Sequence, residues 1–229
     1  MDARKERKLV IIGDSAFAEV AYEYFTHDSP YKVAAFAVER AFLKRDQLLG
    51  IEVLALDELP ARYPATEHEV FVAVTYGQLN RVRARLLRAV KEMGYRPASY
   101  VSSRAFVWRN VTLGEHCFIM ENNVVQPFVR IGGNVVLWSG NHIGHHSIIG
   151  DNVFMSSHVV VSGFCNVGAN SFLGVNTTLS NNVTVGKDCW TGPNVTLMAD
   201  TKDGELYPAT ASEPSKVSAL RFFKVREPL

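Results

Sequence analysis

From Val101 to Thr196 an aliphatic residue returns at every sixth place without a slip. The series is Val101, Val107, Leu113, Ile119, Val125, Ile131, Leu137, Ile143, Ile149, Met155, Val161, Val167, Leu173, Leu179, Val185 and Thr191, and fifteen of these sixteen are Leu, Ile, Val or Met. The place after it is Gly in eight of the sixteen, as at Gly114, Gly132, Gly150, Gly168 and Gly186. The fifth place is mostly small: Ala105, Val111, Cys117, Ser147, Cys165, Ser171, Thr177 and Cys189. A short fixed period means stacked units that bury one shared core.

Within each hexad the aliphatic residue and the small residue two places before it share one face of a short strand. The third and fourth places, such as Gly133-Asn134 and Asp151-Asn152, are rich in turn formers and read as corners. Three strands and three corners close a triangular coil every eighteen residues. The repeat therefore predicts a left-handed parallel β-helix of a little over five coils.

Composition sets the class of the whole. The chain has 229 residues, 47% hydrophobic and 21% charged, as in an ordinary soluble globular protein of one or two domains. A net charge of +1 argues against a nucleic-acid footprint. Basic residues precede Leu9, but the apolar run ends at Gly13 and is too short for a signal segment or a membrane span, so a cytoplasmic protein is expected. All three cysteines sit at the inward fifth place and read as core fillers rather than as disulfides or metal ligands.

Ahead of the repeat, strands alternate with helices. Lys8 to Ile12 reads as a strand, Ala16 to Phe25 as a helix, Lys32 to Val38 as a second strand and Glu69 to Thr75 as a third. Val53-Leu54 is a short apolar stretch before a helix-like Asp57-Glu58-Leu59. An amphipathic helix is expected from Gln78 to Met93, closed by Gly94, with Arg81, Arg83, Arg85 and Arg88 on a solvated face. This predicts a small Rossmann-like βαβ domain of three or four parallel strands, large enough for a mononucleotide rather than a dinucleotide. Gly13-Asp14-Ser15-Ala16-Phe17-Ala18 keeps only the first glycine of a dinucleotide fingerprint, and a tight βα turn accounts for it as well. Ligands of such sheets lie beyond the carboxyl ends of the strands, which places Gly13, Val38-Glu39 and Gly77 around one cleft. The fold class expected is thus α/β plus all-β: residues 1–97 a βαβ domain, 98–198 the β-helix, and 199–229 an extended tail. Leu220 to Phe223 is expected to pack back on the coils or on a neighbouring subunit.

Chemistry concentrates at one corner. Four of the seven histidines lie between His142 and His158, three of them within Asn141-His142-Ile143-Gly144-His145-His146. By register His145 and His146 form an exposed corner, and His142 faces outward just before it. An imidazole on a rigid corner suits a base near neutral pH. Asn123 and Asn141 interrupt the inward fifth place eighteen residues apart. They read as a buried ladder satisfying its own amides, or Asn141 as a support for the corner of His145. His116, His142, His145, His146 and His158 do not reproduce the spacing with which hexapeptide-repeat carbonic anhydrases hold zinc, so no metal is expected.

A small βα domain, a helix and coils carrying Ile143-Gly144-His145-His146-Ser147-Ile148-Ile149-Gly150 resemble the bacterial hexapeptide-repeat sugar acyltransferases related to sialic acid O-acetyltransferase and the bacillosamine-pathway N-acetyltransferase. The resemblance runs up to Thr196. It implies acetyl-CoA as co-substrate, a nucleotide-linked sugar as acceptor, a homotrimer, and a part in building cell-surface polysaccharide. His145 matches the family's base; the next residue, often Glu in the family, is His146 here, which leaves His142 or Asn141 to orient it. Gly163, one coil on, matches the residue whose backbone N–H binds the thioester oxygen. Phe154, Val175, Gly192 and Pro193 match the acetyl-CoA groove. Gly13, Ser15, Ala16, Phe17, Val38, Glu39 and Gly77 match the nucleotide-sugar site. The expected activity is N-acetylation of a UDP- or dTDP-linked amino sugar by direct attack. The same fold would equally serve a sugar O-acetyltransferase, and a non-catalytic trimeric scaffold is the alternative of another class.

Overall fold

The computed structural model describes residues 7–225; the basic residues before Arg7 and the last four, with Pro228, lie outside the described residues. The N-terminal part is a sheet of six strands in the order β3-β4-β2-β1-β5-β6. These are β1 (Arg7–Ile12), β2 (Tyr31–Val38), β3 (Gln47–Leu48), β4 (Ile51–Ala55), β5 (His68–Val72) and β6 (Arg96–Pro97). All pairs are parallel except the β3–β4 hairpin. The sheet is larger than the three or four strands expected, because two-residue strands at its edges carry no apolar period to read.

Helix α1 (Ala16–His27) and helix α3 (Arg81–Glu92) cover opposite faces of the sheet, and Leu59 of a short helix α2 (Leu59–Arg62) is buried on the same face as α3. The amphipathic stretch was expected to turn helical at Gln78, yet Gln78, Leu79 and Asn80 have φ of 51°, 48° and 65°, a left-handed turn that delays the helix to Arg81. At its other end Gly94 and Tyr95 donate back to Lys91 and Val90, the paired bonds that close a helix at a glycine.

The repeat forms a triangular prism, a left-handed parallel β-helix. Its first face stacks Tyr100–Val101, Phe118–Ile119, Val136–Leu137, Phe154–Met155, Phe172–Leu173, Trp190–Thr191 and Leu206–Tyr207. The second face runs from Phe106–Val107 through His142–Ile143 to Thr196–Leu197, and the third from Thr112–Leu113 through Ile148–Ile149 to Thr184–Val185. Up to Leu197 each strand pairs in register with the residue eighteen places on, for example His142 with Val160. Inward aliphatics and the three buried thiols fill the interior. At nearly every corner the fourth hexad residue is left-handed, from His116 (φ 57°) to Asn194 (φ 59°). Asn accepts this conformation at little cost, which explains its abundance there.

The stacking outlasts the expected end at Thr196. Leu206–Tyr207 pairs with Trp190–Thr191 and caps the first face. Beyond it Leu220, Phe222 and Phe223 are 62%, 71% and 74% exposed, so of the two places expected for this segment, its own coils or a neighbouring subunit, it does not occupy the first.

The two parts join over the first face. Phe17 and Phe25 of α1 and Phe71 of β5 bury against Tyr100, Phe118, Val136, Phe154 and Phe172. A polar clamp runs along the edge between the third and first faces. There the corner residues Asn134, Asn152, Asn170 and Asp188 form a ladder, each amide donating to the side chain one coil on at 2.8–2.9 Å. Asn80 donates to the carbonyl of Asn170 at 2.9 Å. Arg83 was expected on a solvated face, but it is fully buried. Its guanidinium donates to Asn134 Oδ1, the carbonyls of Asn134, Asn152 and Thr75, and Asn80 Oδ1, all within 3.1 Å. Burial without a carboxylate pushes its pKa down to about 9. Below it His116 Nε2 accepts the Val72 N–H at 2.8 Å, so Nδ1 carries the proton donated to Asn134 Oδ1, and burial lowers its pKa to about 3.

Candidate active site

The edge between the second and third faces lies across the prism from the N-terminal domain, and it carries His145 and His146. Both rings are exposed, while the flanking Ile143, Ser147 and Ile149 point inward and fix the corner. Counting by eighteen stacks Gly163 on His145. The Phe164 N–H donates to the His145 carbonyl at 2.9 Å, and the imidazole lies where a side chain at 163 would be. A Cβ added to Gly163 would stand 2.8 Å from His145 Cε1 and 3.0 Å from Nε2. The ring can lie this close only because position 163 has no side chain. The His145 N–H donates to Gln126 Oε1 at 2.9 Å.

What faces His145 from the side is His146, with Nδ1 to Nδ1 at 3.1 Å and the rings at 88°. His146 in turn lies between Phe128 (centroids 4.6 Å, interplanar 26°) and Phe164 (4.8 Å, 18°). Phe164 also meets His145 edge-on at 5.0 Å. Phe128, His146 and Phe164 are the same corner in three successive coils, all left-handed at φ 65°, 60° and 59°. A non-glycine residue other than Asn or Asp pays about 1–2 kcal/mol for that conformation. A depression of about 260 Å³ opens beside the stack, between Asn110, Phe128, Arg130 and His146.

Several expected residues lie elsewhere. Asn141 is buried, with its amide donating to the Trp138 carbonyl at 2.6 Å and its oxygen accepting the Val159 N–H at 2.7 Å, so it does not reach His145. Asn123 likewise donates to the Met120 and Trp138 carbonyls; the two asparagines stack, but each satisfies main chain rather than the other. His142 stands half-buried on the second face between Val124 and Val160, away from the His145 ring contacts. The Gly163 N–H is not free for an oxyanion, because it donates to Asn181 Oδ1 at 2.9 Å. Phe154 does not line a groove. It is buried on the first face, stacked on Phe172 and edge-on to Tyr76, because outward residues of that face meet the N-terminal domain. Val175, 42% exposed, and the Gly192-Pro193 turn lie on the edge between the first and second faces. Gln126, Asn181, Phe128 and Phe164 escaped the sequence reading, although 128, 146 and 164 are spaced by eighteen and could have been found by the same count.

β1, β2 and β5 are parallel neighbours, so the turns that follow them, where the cleft is expected, leave the sheet at the same edge. Gly13 has φ 125°, and a Cβ there would lie 2.8 Å from the Ala73 carbonyl oxygen, so only glycine fits this turn. Ser15 and Ala16 are exposed at the amino end of α1, where free N–H groups suit an anion. The Phe17 ring, by contrast, is buried against Phe118 and Trp138, leaving only its main chain for a ligand. Val38 is buried, and Glu39 is held by both guanidinium nitrogens of Arg85 at 2.8 Å, which lowers its pKa. Gly77 opens the left-handed turn before α3, with Tyr76 beside it, 46% exposed.

Residues 110–145 and 128–163 match the model of the bacterial transferase hexapeptide (six repeats). Both matched stretches lie within the β-helix and together span residues 110–163. A search of curated proteins by sequence finds no match. Among solved structures this repeat protein is similar to the acetyltransferase domain of PglB from Neisseria gonorrhoeae FA1090, 20% identical over 91% of this chain and 100% of that one, with a TM-score of 0.80. That domain has also been solved with acetyl coenzyme A. PerB from Caulobacter crescentus, solved with CoA and GDP-perosamine, is 25% identical over 88% of this chain and 94% of its own, with a TM-score of 0.78. WeeI from Acinetobacter baumannii AYE is 17% identical over 87% and 95%, at 0.67. Among the described residues no group of three or more His, Cys, Asp or Glu side chains is placed to hold a metal ion, and no helix is long and apolar enough to cross a membrane.

Proposed function

We propose that this protein is an acetyl-CoA-dependent N-acetyltransferase that acts on the amino group of a nucleotide-linked sugar, with His145 as general base. The observation that carries the reading is an exposed imidazole seated on a glycine at a rigid prism edge, held by a second imidazole. PerB, the 25% identical relative solved with CoA and GDP-perosamine, supports the substrate class. The uridine or thymidine base expected from the resemblance finds no such support, since PerB holds a guanosine sugar.

The amine of the acceptor attacks the thioester carbonyl directly and His145 Nε2 takes its proton; the C–S bond then breaks, and CoA leaves as a thiolate that takes the proton back from the imidazolium. No acyl-enzyme forms, because Cys117, Cys165 and Cys189 are all buried and turned into the prism. Positioning supplies most of the acceleration in such a transfer. Gly163 contributes room for the imidazole; its N–H could meet an oxyanion only after Asn181 let go. Val175 and Gly192-Pro193 flank the second face, where an extended CoA chain would lie between two edges.

On this reading the acceptor is held near Gly13, Ser15 and Gly77, in the domain that packs over the first face, whereas His145 stands on the opposite edge. One copy therefore cannot bring its own sugar to its own base. A homotrimer, in which the cleft of one copy serves the edge of the next, resolves this, and a cytoplasmic setting supplies the acyl donor. The test is His145→Ala: turnover should fall by a factor on the order of 10² or more while acetyl-CoA still binds by calorimetry. Turnover near that of the unaltered protein would refute the role.

A further inference from the structure

Among the left-handed corner residues of the prism, Asn or Asp is the rule: Asn122, Asn134, Asn152, Asn170, Asn176, Asn182, Asp188 and Asn194. Phenylalanine takes this place only at Phe128 and Phe164, one coil below and one coil above His146. Neither ring is needed for the core, since they are 56% and 51% exposed. Their faces lie nearly parallel to the imidazole of His146 and hold it at 88° to that of His145.

From this arrangement we infer that Phe128 and Phe164 are positioning residues that clamp His146 as a neutral hydrogen-bond acceptor for His145; the inference rests on His145 being the base. In a pair of neutral imidazoles meeting Nδ1 to Nδ1, one nitrogen must carry the hydrogen and the other must accept it. With the hydrogen on His145 Nδ1, its Nε2 is left unprotonated on the side that abuts Gly163, ready to take a proton from an amine. The opposite assignment would put the hydrogen on His145 Nε2 and leave no base. A clamped neutral ring thus does for this chain what a carboxylate beside a histidine does elsewhere: it fixes the tautomer. Stacking between two rings restrains the tilt of His146, and without it a free side chain would turn its Nδ1 away.

The test replaces each clamp by the residue that the other corners use. Phe128→Asn and Phe164→Asn suit the left-handed backbone, so the melting temperature should hold or rise, which separates this role from a structural one. Nitrogen-15 spectra of the histidine rings at pH 8, recorded on the full-length protein without substrate, should show His145 protonated at Nδ1 and His146 at Nε2. In either variant, and in His146→Asn, the His145 signal should shift toward the Nε2-protonated form. With acetyl-CoA and GDP-perosamine or UDP- and dTDP-linked amino sugars, kcat should fall about ten-fold, as for one lost neutral hydrogen bond, with KM within two-fold. An Nε2-protonated His145 in the unaltered protein, spectra unchanged in the variants, or a fall in kcat that merely tracks loss of assembly by light scattering would each overturn the inference. If His145→Ala abolishes turnover while these spectra do not move, only the clamp fails; if His145→Ala is fully active, the base assignment fails first.

Discussion

Adding a single methyl group at position 163 separates catalysis from stability. In Gly163→Ala the new Cβ would stand 2.8 Å from His145 Cε1, 3.0 Å from Nε2 and 3.3 Å from Nδ1. Ordinary contact between such atoms is about 3.5–4.0 Å, so the ring must retreat by about 1 Å. The backbone at 163 is not left-handed and accepts alanine without strain. The ring that has to move is the exposed end of a side chain, so a change in stability within about 1 kcal/mol is expected. The retreat breaks the 3.1 Å contact with His146 and shifts Nε2 off the line of the attacking amine. A displacement of about 1 Å in a catalytic group can cost roughly 10²-fold in rate, or about 2.7 kcal/mol of barrier. Following CoA thiol release alongside thermal melting measures both quantities. The alanine variant keeps its N–H, so an oxyanion role for that amide forecasts little loss. Full activity in Gly163→Ala would refute the placement of His145 as the base, and a collapse of melting temperature would show that the edge is not as open as described.

The buried clamp between the two parts offers two further tests. Arg83→Met keeps the bulk of the side chain but leaves the carbonyls of Asn134, Asn152 and Thr75 without their donor; a loss of about 3–5 kcal/mol is expected in urea unfolding, with the N-terminal domain melting first. His116 supplies a pH signature. Its pKa falls from 6.5 to about 3 on folding, so below pH 6.5 the unfolded chain takes a proton that the folded chain refuses. Stability is therefore fully present above pH 6.5 and is lost as pH falls toward 3, by at most about 1.4 kcal/mol per pH unit. His116→Asn should remove roughly 2 kcal/mol of the difference between urea unfolding at pH 6.5 and pH 5; an unchanged difference would place the acid sensitivity elsewhere.

Much of this molecule could be read in advance because the hexad has one solution. An aliphatic residue and a small residue on the inward face, with turn formers between, dictate stacked coils, and a count of eighteen then places His145 under Gly163. That count uses only main-chain periodicity. It could not tell that the amide of Gly163 is taken by Asn181, or that Asn141 spends both ends of its side chain on Trp138 and Val159, because hydrogen-bond partners one coil away depend on side-chain length and rotamer. Phe154 misled for another reason. Its register gives an outward side chain, but outward on the first face means buried under Phe172 and Tyr76, and no period in the sequence says which face the N-terminal domain covers. Arg83 was misjudged by the same gap: arginine at helical spacing ordinarily marks solvent, and only the packed prism supplies the carbonyls that take it in.

The fourth place of the hexad is where structure and function can be told apart without a ligand. Its left-handed backbone selects Asn, and where Asn stands on the edge facing the N-terminal domain it builds the ladder that receives Arg83 and Asn80. Departures from Asn carry a conformational cost, so each must be offset by something else. His116 offsets it with the Val72 and Asn134 bonds at the domain junction. His158, whose ring covers Gly140, lies on the edge between the first and second faces. Phe128, His146 and Phe164 fall on one edge in three consecutive coils and offset it with one another, around the imidazole of His145. Strain concentrated in a single column, far from the domain junction and open to solvent, is what a prism built only for stability would avoid.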